Sequence, residues 1–222
     1  RTQGSDEFDC FFGDINKMMH PEALTPHGYM RPLANQDAAV LTKGVNAALK
    51  PLEAMGLPCF LYAGGLLGLV RDGRFIGHDD DIDIAVYLGD MTLNQAAVVW
   101  RELKVELVRM GLVVAGDASA NAPVFKLITE LDVEIDLFAC WSNGEKLSLH
   151  PFSINDQRKD DVFPLRRFEI EGCDEGIAIP AKPEALLHGN YGESWRIPDP
   201  LFYFNWREAT KRFQVLYDQE YI

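Results

Sequence analysis

The stretch Leu61–Val86 constrains what this chain can become more than any other. A short apolar run leads to Gly64 and Gly65, and then come an expected helical turn, a loop, a carboxylate cluster and a second apolar strand. Asp79, Asp81 and Asp83 stand two residues apart. On an extended chain alternate side chains share a face, so these three are expected to project together while Ile82, Ile84 and Val86 point into the core. Like charges on one face repel, and they stay ionised together most readily with a cation between them. All-oxygen carboxylate ligands suit magnesium or manganese. A calcium-binding EF-hand loop does not fit, because Ile84 stands where its sixth-position glycine is required.

The flanking sequence predicts a chain of mixed helices and strands. Asn35 is the expected N-cap of a helix whose apolar face carries Leu41, Val45, Ala48, Leu52 and Met55, with Pro51 kinking or ending it. Cys59–Ala63 reads as a buried strand. Thr92 and Gln95 fit a capping box for a second long helix that Gly111 closes. Strand-like runs follow at Leu112–Ala115, Val124–Thr129, Val133–Trp141 and Lys146–His150, then at Phe163–Cys173 and Gly176–Pro180. In the third of these Asp132, Glu134 and Asp136 share one face and Val133, Ile135 and Leu137 the other. A short helix at Pro183–Gly189, a turn-rich loop at Tyr191–Pro200 and an aromatic-rich closing helix at Leu201–Tyr217 complete the expectation. Mixed helices and strands with no repeat point to one α/β or α+β domain over 35–222, preceded by an N-terminal extension, 1–34.

Charge and cysteine usage narrow the function. The 222 residues carry a formal net charge of -13, which argues against a nucleic-acid partner. A small anionic substrate remains compatible, since a metal ion locally reverses the sign. No apolar run approaches the roughly 18 residues of a membrane span. Cys10, Cys59, Cys140 and Cys173 are scattered, and read best as buried reduced thiols. With no signal peptide and no Asn-x-Ser/Thr sequon in view, the expected location is cytoplasmic.

The chemistry follows from the spacing. Carboxylates at i and i+2 can bridge two cations, and Asp136 from a neighbouring strand would complete the site, with Glu134 its competitor on the same face. Such ions neutralise a diphosphate, stabilise a leaving oxygen and activate a hydroxyl for in-line attack on phosphorus. Gly64-Gly65 would let backbone N–H groups approach a phosphate. Arg71 and Lys126 are candidate phosphate-binding cations. His20, His27, His150 and His188 lack metal-ligand spacing. These parts describe phosphoryl-group transfer from a nucleotide-activated donor.

The run Gly-Gly-Leu-Leu-Gly-Leu-Val-Arg, then Phe-Ile, then Asp-Asp-Asp-Ile-Asp-Ile closely resembles the LicD/fukutin family of the nucleotidyltransferase-fold superfamily. Tyr191-Gly192 with Trp195 and Pro198 is similar to the family's C-terminal signature. The resemblance implies a nucleotidyltransferase-like mixed sheet flanked by helices, with a C-terminal helical extension. It implies a magnesium- or manganese-dependent transferase that moves a phospho-alcohol, such as phosphocholine, ribitol phosphate or glycerol phosphate, from a CDP-linked donor to a glycan or glycolipid hydroxyl and releases CMP. Asp81 and Asp83 would be the metal pair, Asp79 the first acidic position, Asp136 the third carboxylate and Arg71 the family's arginine. Where the family has Pro-Trp this chain has Gly77-His78, making His78 a candidate substrate contact or proton shuttle. Two alternatives stay open: a nucleotidyltransferase moving a nucleoside monophosphate from a triphosphate, and a non-catalytic binding scaffold.

Overall fold

The computed structural model describes residues 32–113, 123–129, 133–199 and 201–219, with the backbone of a two-residue strand pair, Leu24–Thr25 and Gly28–Tyr29. The expected extension 1–34 therefore falls largely outside the described residues, as do Cys10 and Asp132. The helices are α1 (Ala38–Ala54), α2 (Ala63–Asp72), α3 (Leu93–Arg109), α4 (Lys159–Val162), α5 (Pro183–Tyr191), α6 (Trp206–Arg212) and α7 (Gln214–Tyr217). The strands are β1 (Cys59–Leu61), β2 (Asp81–Asp90), β3 (Val124–Leu127), β4 (Glu134–Asn143), β5 (Lys146–Leu149), β6 (Ser153–Arg158), β7 (Arg166–Ile170) and β8 (Cys173–Ile179).

A six-stranded mixed sheet runs β1-β2-β4-β5-β6, with β3 added to β4. β2 and β4 are parallel, and the other pairs in the sheet are antiparallel. The crossover between the parallel strands carries α3, as a parallel pair requires. β7 and β8 form a separate antiparallel hairpin beside α1. This is the α/β mixed sheet flanked by helices that the sequence predicts.

Strand alternation divides the core into two faces. Ile82, Ile84 and Val86 of β2 and Ile135, Leu137, Ala139 and Trp141 of β4 bury one face against α1 and α3. Ala85, Phe138 and Cys140 occupy the opposite face with Phe60 and Tyr62, covered by Leu186 of α5 and Val162 of α4. On that second face the first positions of both long strands are acidic: Asp81 and Asp83, Glu134 and Asp136. The apolar part of the face anchors the strands, and the acidic part is left at their N-terminal ends.

Several local expectations shift. Asp37, not Asn35, caps α1: its carboxylate accepts from the Ala39 and Val40 N–H groups at 2.9 and 3.0 Å. A carboxylate at a helix N-terminus also gains from the helix dipole. Pro51 does not end α1 but sits in its last turn, where the Pro51 and Leu52 carbonyls both receive the Met55 N–H. β1 stops at Leu61 because α2 begins at once, so Gly64 and Gly65 lie inside its first turn rather than before it. The run at Leu112–Ala115 contributes only a bridge from Val113 to Leu127 among the described residues. Phe163–Cys173 is not one strand, since β7 covers only Arg166–Ile170 and Cys173 opens β8. The single closing helix is instead two short ones, preceded by non-helical residues and broken at Phe213 (φ -104°, ψ 23°). Phe213 is fully buried, edge-on to Trp141 and His150, and this packing overrides helical continuity. Cys59, Cys140 and Cys173 are free and buried, as expected.

The loop between α2 and β2 carries the acidic run back over α2. A Cβ on Gly68 would stand 2.7 Å from the Arg74 carbonyl oxygen and 2.9 Å from the Ile76 nitrogen, both backbone. Gly68→Ala is therefore expected to destabilise the fold by about 1–3 kcal/mol through overpacking. Gly77→Ala, where nothing lies within 4 Å, should be close to neutral. Denaturant unfolding of the two variants checks the contrast, and equal midpoints would contradict this account of the loop.

Candidate metal and phosphate site

The site begins at the junction of β1 and α2. The chain reverses at Ala63 with φ 39°, a left-handed conformation that alanine adopts at a cost of order 1–3 kcal/mol. Just before it the Tyr62 N–H donates to the Asp83 carbonyl at 2.9 Å. Just after it the Gly64 N–H donates to the Asp83 carboxylate. The strained reversal thus ties α2 to the second acidic residue of β2. The Gly64 N–H expected to face a phosphate is directed at Asp83 in this structure. A Cβ on Gly64 would stand 2.6 Å from Asp79 Oδ2, so only glycine leaves room for that carboxylate. Gly65 packs inward instead, its Cβ position 2.9 Å from Leu61 Cδ1.

Parallel register brings the carboxylates together. Asp81 stands opposite Glu134 and Asp83 opposite Asp136. Lys126 of β3 stands opposite Asp136 on its other side. Lys126, Asp136 and Asp83 therefore form one row across three strands. Asp79 joins by a different route. It precedes β2, and strand alternation does not place it; the loop does. Asp79, Asp80 and Asp81 each offer an oxygen within 4.8 Å of the other two. Asp80, only 4% exposed, belongs to this cluster although alternation would turn it away.

The electrostatics follow from burying several carboxylates together. Burial, then the charges of Asp81, Asp79 and Asp136, push the Asp83 carboxyl well above its ordinary range, opposed by the Gly64 N–H. Burial raises Asp136 to about 6, against the pull of Lys126. Lys126 bonds Glu134 and lies 3.3 Å from Asp136 Oδ1. The second contact is an ion pair rather than a directed hydrogen bond, since that buried oxygen has no hydrogen-bond partner among the described residues. Burial disfavours the Lys126 charge, but these two carboxylates outweigh it and hold the ammonium above its ordinary value. Lys126 is thus engaged by Glu134 and Asp136. Arg71, in the last turn of α2, bonds its neighbour Asp72 through Nε and Nη2 and makes no ion pair with the acidic cluster among the described residues. His78 is exposed on the loop before the cluster.

α5 supplies a wall of the site. It packs on α2 and ends at Tyr191, whose hydroxyl feels the charges of Asp83, Asp79, Arg71 and Asp81. Burial first, then those carboxylates, raises the Tyr191 phenol far above its ordinary value. Tyr62, fully buried, also feels the Asp83 charge and lies beside the Asn190 amide. The Tyr62 hydroxyl and both Asn190 amide atoms are buried without a hydrogen bond of normal geometry among the described residues. Trp195, considered as part of an aromatic cage, is buried and covered by the Arg196 guanidinium, 4.1 Å from its ring centre.

The donor set fits a hard divalent cation. It is all oxygen, converges from two strands and a loop, and includes a buried Asp136 oxygen lacking a hydrogen-bond donor among the described residues. The raised Asp136 carboxyl sets the sign of the pH dependence. Its folded value of about 6 lies above its unfolded value near 4, so without metal, stability falls as pH rises through that window. A bound cation removes this penalty and itself requires ionised ligands. Magnesium or manganese is therefore expected to raise the melting temperature more at pH 7.5 than at pH 5. A gain that is equal at the two pH values, or lost on neither Asp81→Ala nor Asp83→Ala, would contradict the assignment.

The family model described as LicD/FKTN/FKRP, nucleotidyltransferase domain, matches residues 56–176, more than half of the chain. That span includes β1, α2, β2 and β4 and thus all four candidate metal ligands. Human ribitol 5-phosphate transferase FKRP is 34% identical over 84 residues, a stretch amounting to 38% of this chain and 15% of FKRP. Among solved structures, ANT(2″)-Ia in complex with adenylyl-2″-tobramycin aligns with 82% of this chain and 95% of its own at a TM-score of 0.42 and 15% identity. No helix among the described residues is long and apolar enough to cross a membrane. With its acidic strand pair, its glycine-bearing helix and a family match over most of the site, the chain belongs to the LicD/FKTN/FKRP nucleotidyltransferase-domain family.

Proposed function

We propose that this protein transfers a phospho-alcohol from a CDP-activated donor to a glycan or glycolipid hydroxyl and releases CMP. The observation that carries the reading is the row Lys126–Asp136–Asp83, flanked by Asp81 and Asp79, at the N-terminal ends of two parallel strands. Family membership supports transfer of a phospho-alcohol, and the likeness to a ribitol 5-phosphate transferase points the same way. The alcohol carried is a phosphocholine, ribitol phosphate or glycerol phosphate type.

Asp81 and Asp83 are the residues that would hold magnesium or manganese, with Asp79 beside them against Gly64. When bound, the ion supplies charge neutralisation of the donor diphosphate and of the departing CMP. The acceptor hydroxyl attacks the phosphorus that bears the alcohol. Its new O–P bond forms as the bond from that phosphorus to the bridging diphosphate oxygen breaks. Asp136 takes the hydroxyl proton, a role that suits a carboxyl raised to about 6. Lys126, pinned by Glu134, holds Asp136 in place, which assigns the proton to Asp136 and the anchoring contact to Glu134.

The decisive assay is CMP release from CDP-choline, CDP-glycerol, CDP-ribitol and CDP-ethanolamine, with a glycan extract as acceptor, with magnesium or with EDTA. One donor should give metal-dependent CMP release. Asp81→Ala with Asp83→Ala should abolish it, and Asp136→Asn should lower kcat by about 100-fold or more. Pyrophosphate release from nucleoside triphosphates in place of CMP release would overturn the reading in favour of nucleotidyl transfer. The absence of both products together with metal binding would reduce the chain to a binding module.

A further inference from the structure

The Tyr191 hydroxyl is a polar group at the site that the carboxylate cluster does not use. It stands at the C-terminal end of α5, which packs on α2, and the charges of Asp83, Asp79, Asp81 and Arg71 all act on it. It makes no hydrogen bond among the described residues. Its ring, by contrast, is closely placed: Phe152 lies 5.7 Å away and Phe202 5.1 Å away between ring centres. Phe152 is itself placed by Tyr62 at 5.7 Å and Phe204 at 4.7 Å. Phenylalanine would keep the ring pairs with Phe152 and Phe202, so packing alone does not call for the hydroxyl. The ring contacts hold the side chain in place, and its hydroxyl has no protein partner among the described residues.

We propose that Tyr191 contacts substrate, its phenol O–H donating a hydrogen bond to a phosphate oxygen of the molecule bound at Asp81 and Asp83. This inference rests on the phosphoryl-transfer reading of that site. The surroundings select the ligand chemistry. A carboxylate cluster leaves no room for a further anion unless cations lie between, and a phosphate oxygen beyond those cations needs donors on its outer side. Arg71 and Tyr191 stand on the α2 and α5 side, where such donors are needed. A neutral O–H serves there without neutralising the carboxylates that hold the metal, as a nearby lysine would. Lys126 cannot take the role, because Glu134 and Asp136 already engage it.

Tyr191→Phe in the full chain removes the hydroxyl and keeps every ring contact. Binding is read by calorimetry, first for Mn2+ alone, then for CDP and for inorganic pyrophosphate in saturating Mn2+. The variant should match the wild type in melting temperature and Mn2+ affinity, while CDP and pyrophosphate bind about tenfold or more weakly, the loss of a hydrogen bond to a charged group. Phe202→Leu, at a half-exposed position, loosens the ring without touching the hydroxyl and should show a smaller loss in the same direction. Unchanged affinity for both ligands in Tyr191→Phe overturns the proposal. So does a parallel loss of Mn2+ binding, which would make Tyr191 a support for the carboxylates. If the wild type binds pyrophosphate but not CDP, and Tyr191→Phe weakens pyrophosphate, the phosphate contact stands and the CDP-linked donor falls. If the wild type binds neither in Mn2+, the contact and the functional reading fall together.

Discussion

Two carboxylates about 4 Å apart repel by about 4 kcal/mol at an effective dielectric constant of about 20. This protein holds at least four near one another, Asp79, Asp81, Asp83 and Asp136, with Asp80 buried beside them. A single backbone hydrogen bond contributes about 1 kcal/mol net, so no one contact holds the cluster together. The burden falls on the apolar remainder of the same strands. Ile82, Ile84, Val86, Ile135, Leu137 and Ala139 are fully buried on one face, and Ala85 and Cys140 on the other. Hydrophobic burial along β2 and β4 fixes their parallel register, and the register then forces Asp83 against Asp136.

The remaining devices around the cluster lower that repulsion or spend it. Lys126 places one positive charge at the β3–β4 pair, on the outer side of Asp136. The Gly64 N–H gives Asp83 a donor. Neither offsets burial together with the neighbouring charges, so both Asp83 and Asp136 stay raised above the ordinary carboxylate range. The divalent cation we propose would resolve the imbalance, and a donor diphosphate would be its counter-anion. Structure and proposed chemistry thus meet in one electrostatic requirement. The strained Ala63, the glycine against Asp79 and the buried Tyr62 hydroxyl cluster within the same few residues, and local costs of this kind collect at functional sites.

The far wall of the site comes from distant sequence. α5 contributes Tyr191 more than a hundred residues after Asp83, and its position depends on Phe152 from the loop before β6 and Phe202 from the loop after α5. This aromatic assembly lines up with the second face of the sheet, where Tyr62 and Phe138 already pack.

By itself the sequence determined the elements whose signals are local. Apolar spacing marked α1 and α3, the Thr92–Gln95 capping box marked the start of α3, and period-2 alternation marked β2 and β4 with their acidic faces. The expected carboxylates Asp81, Asp83 and Asp136 were legible because strand geometry repeats every two residues wherever the strand holds. What fails is the same rule beyond the strand's end: Asp79 and Asp80 precede β2, so the loop decides where their carboxylates point. Local signals also could not tell a free Lys126 from one engaged by Glu134, or a turn at Gly64 from a helix start, because each depends on which strand lies alongside. Phe213 broke the expected closing helix because a buried ring against Trp141 outweighs helical propensity. Tertiary structure alone decided that Tyr191 feels the charges of Asp83, Asp79 and Asp81, since no spacing within a chain encodes the packing of α5 on α2.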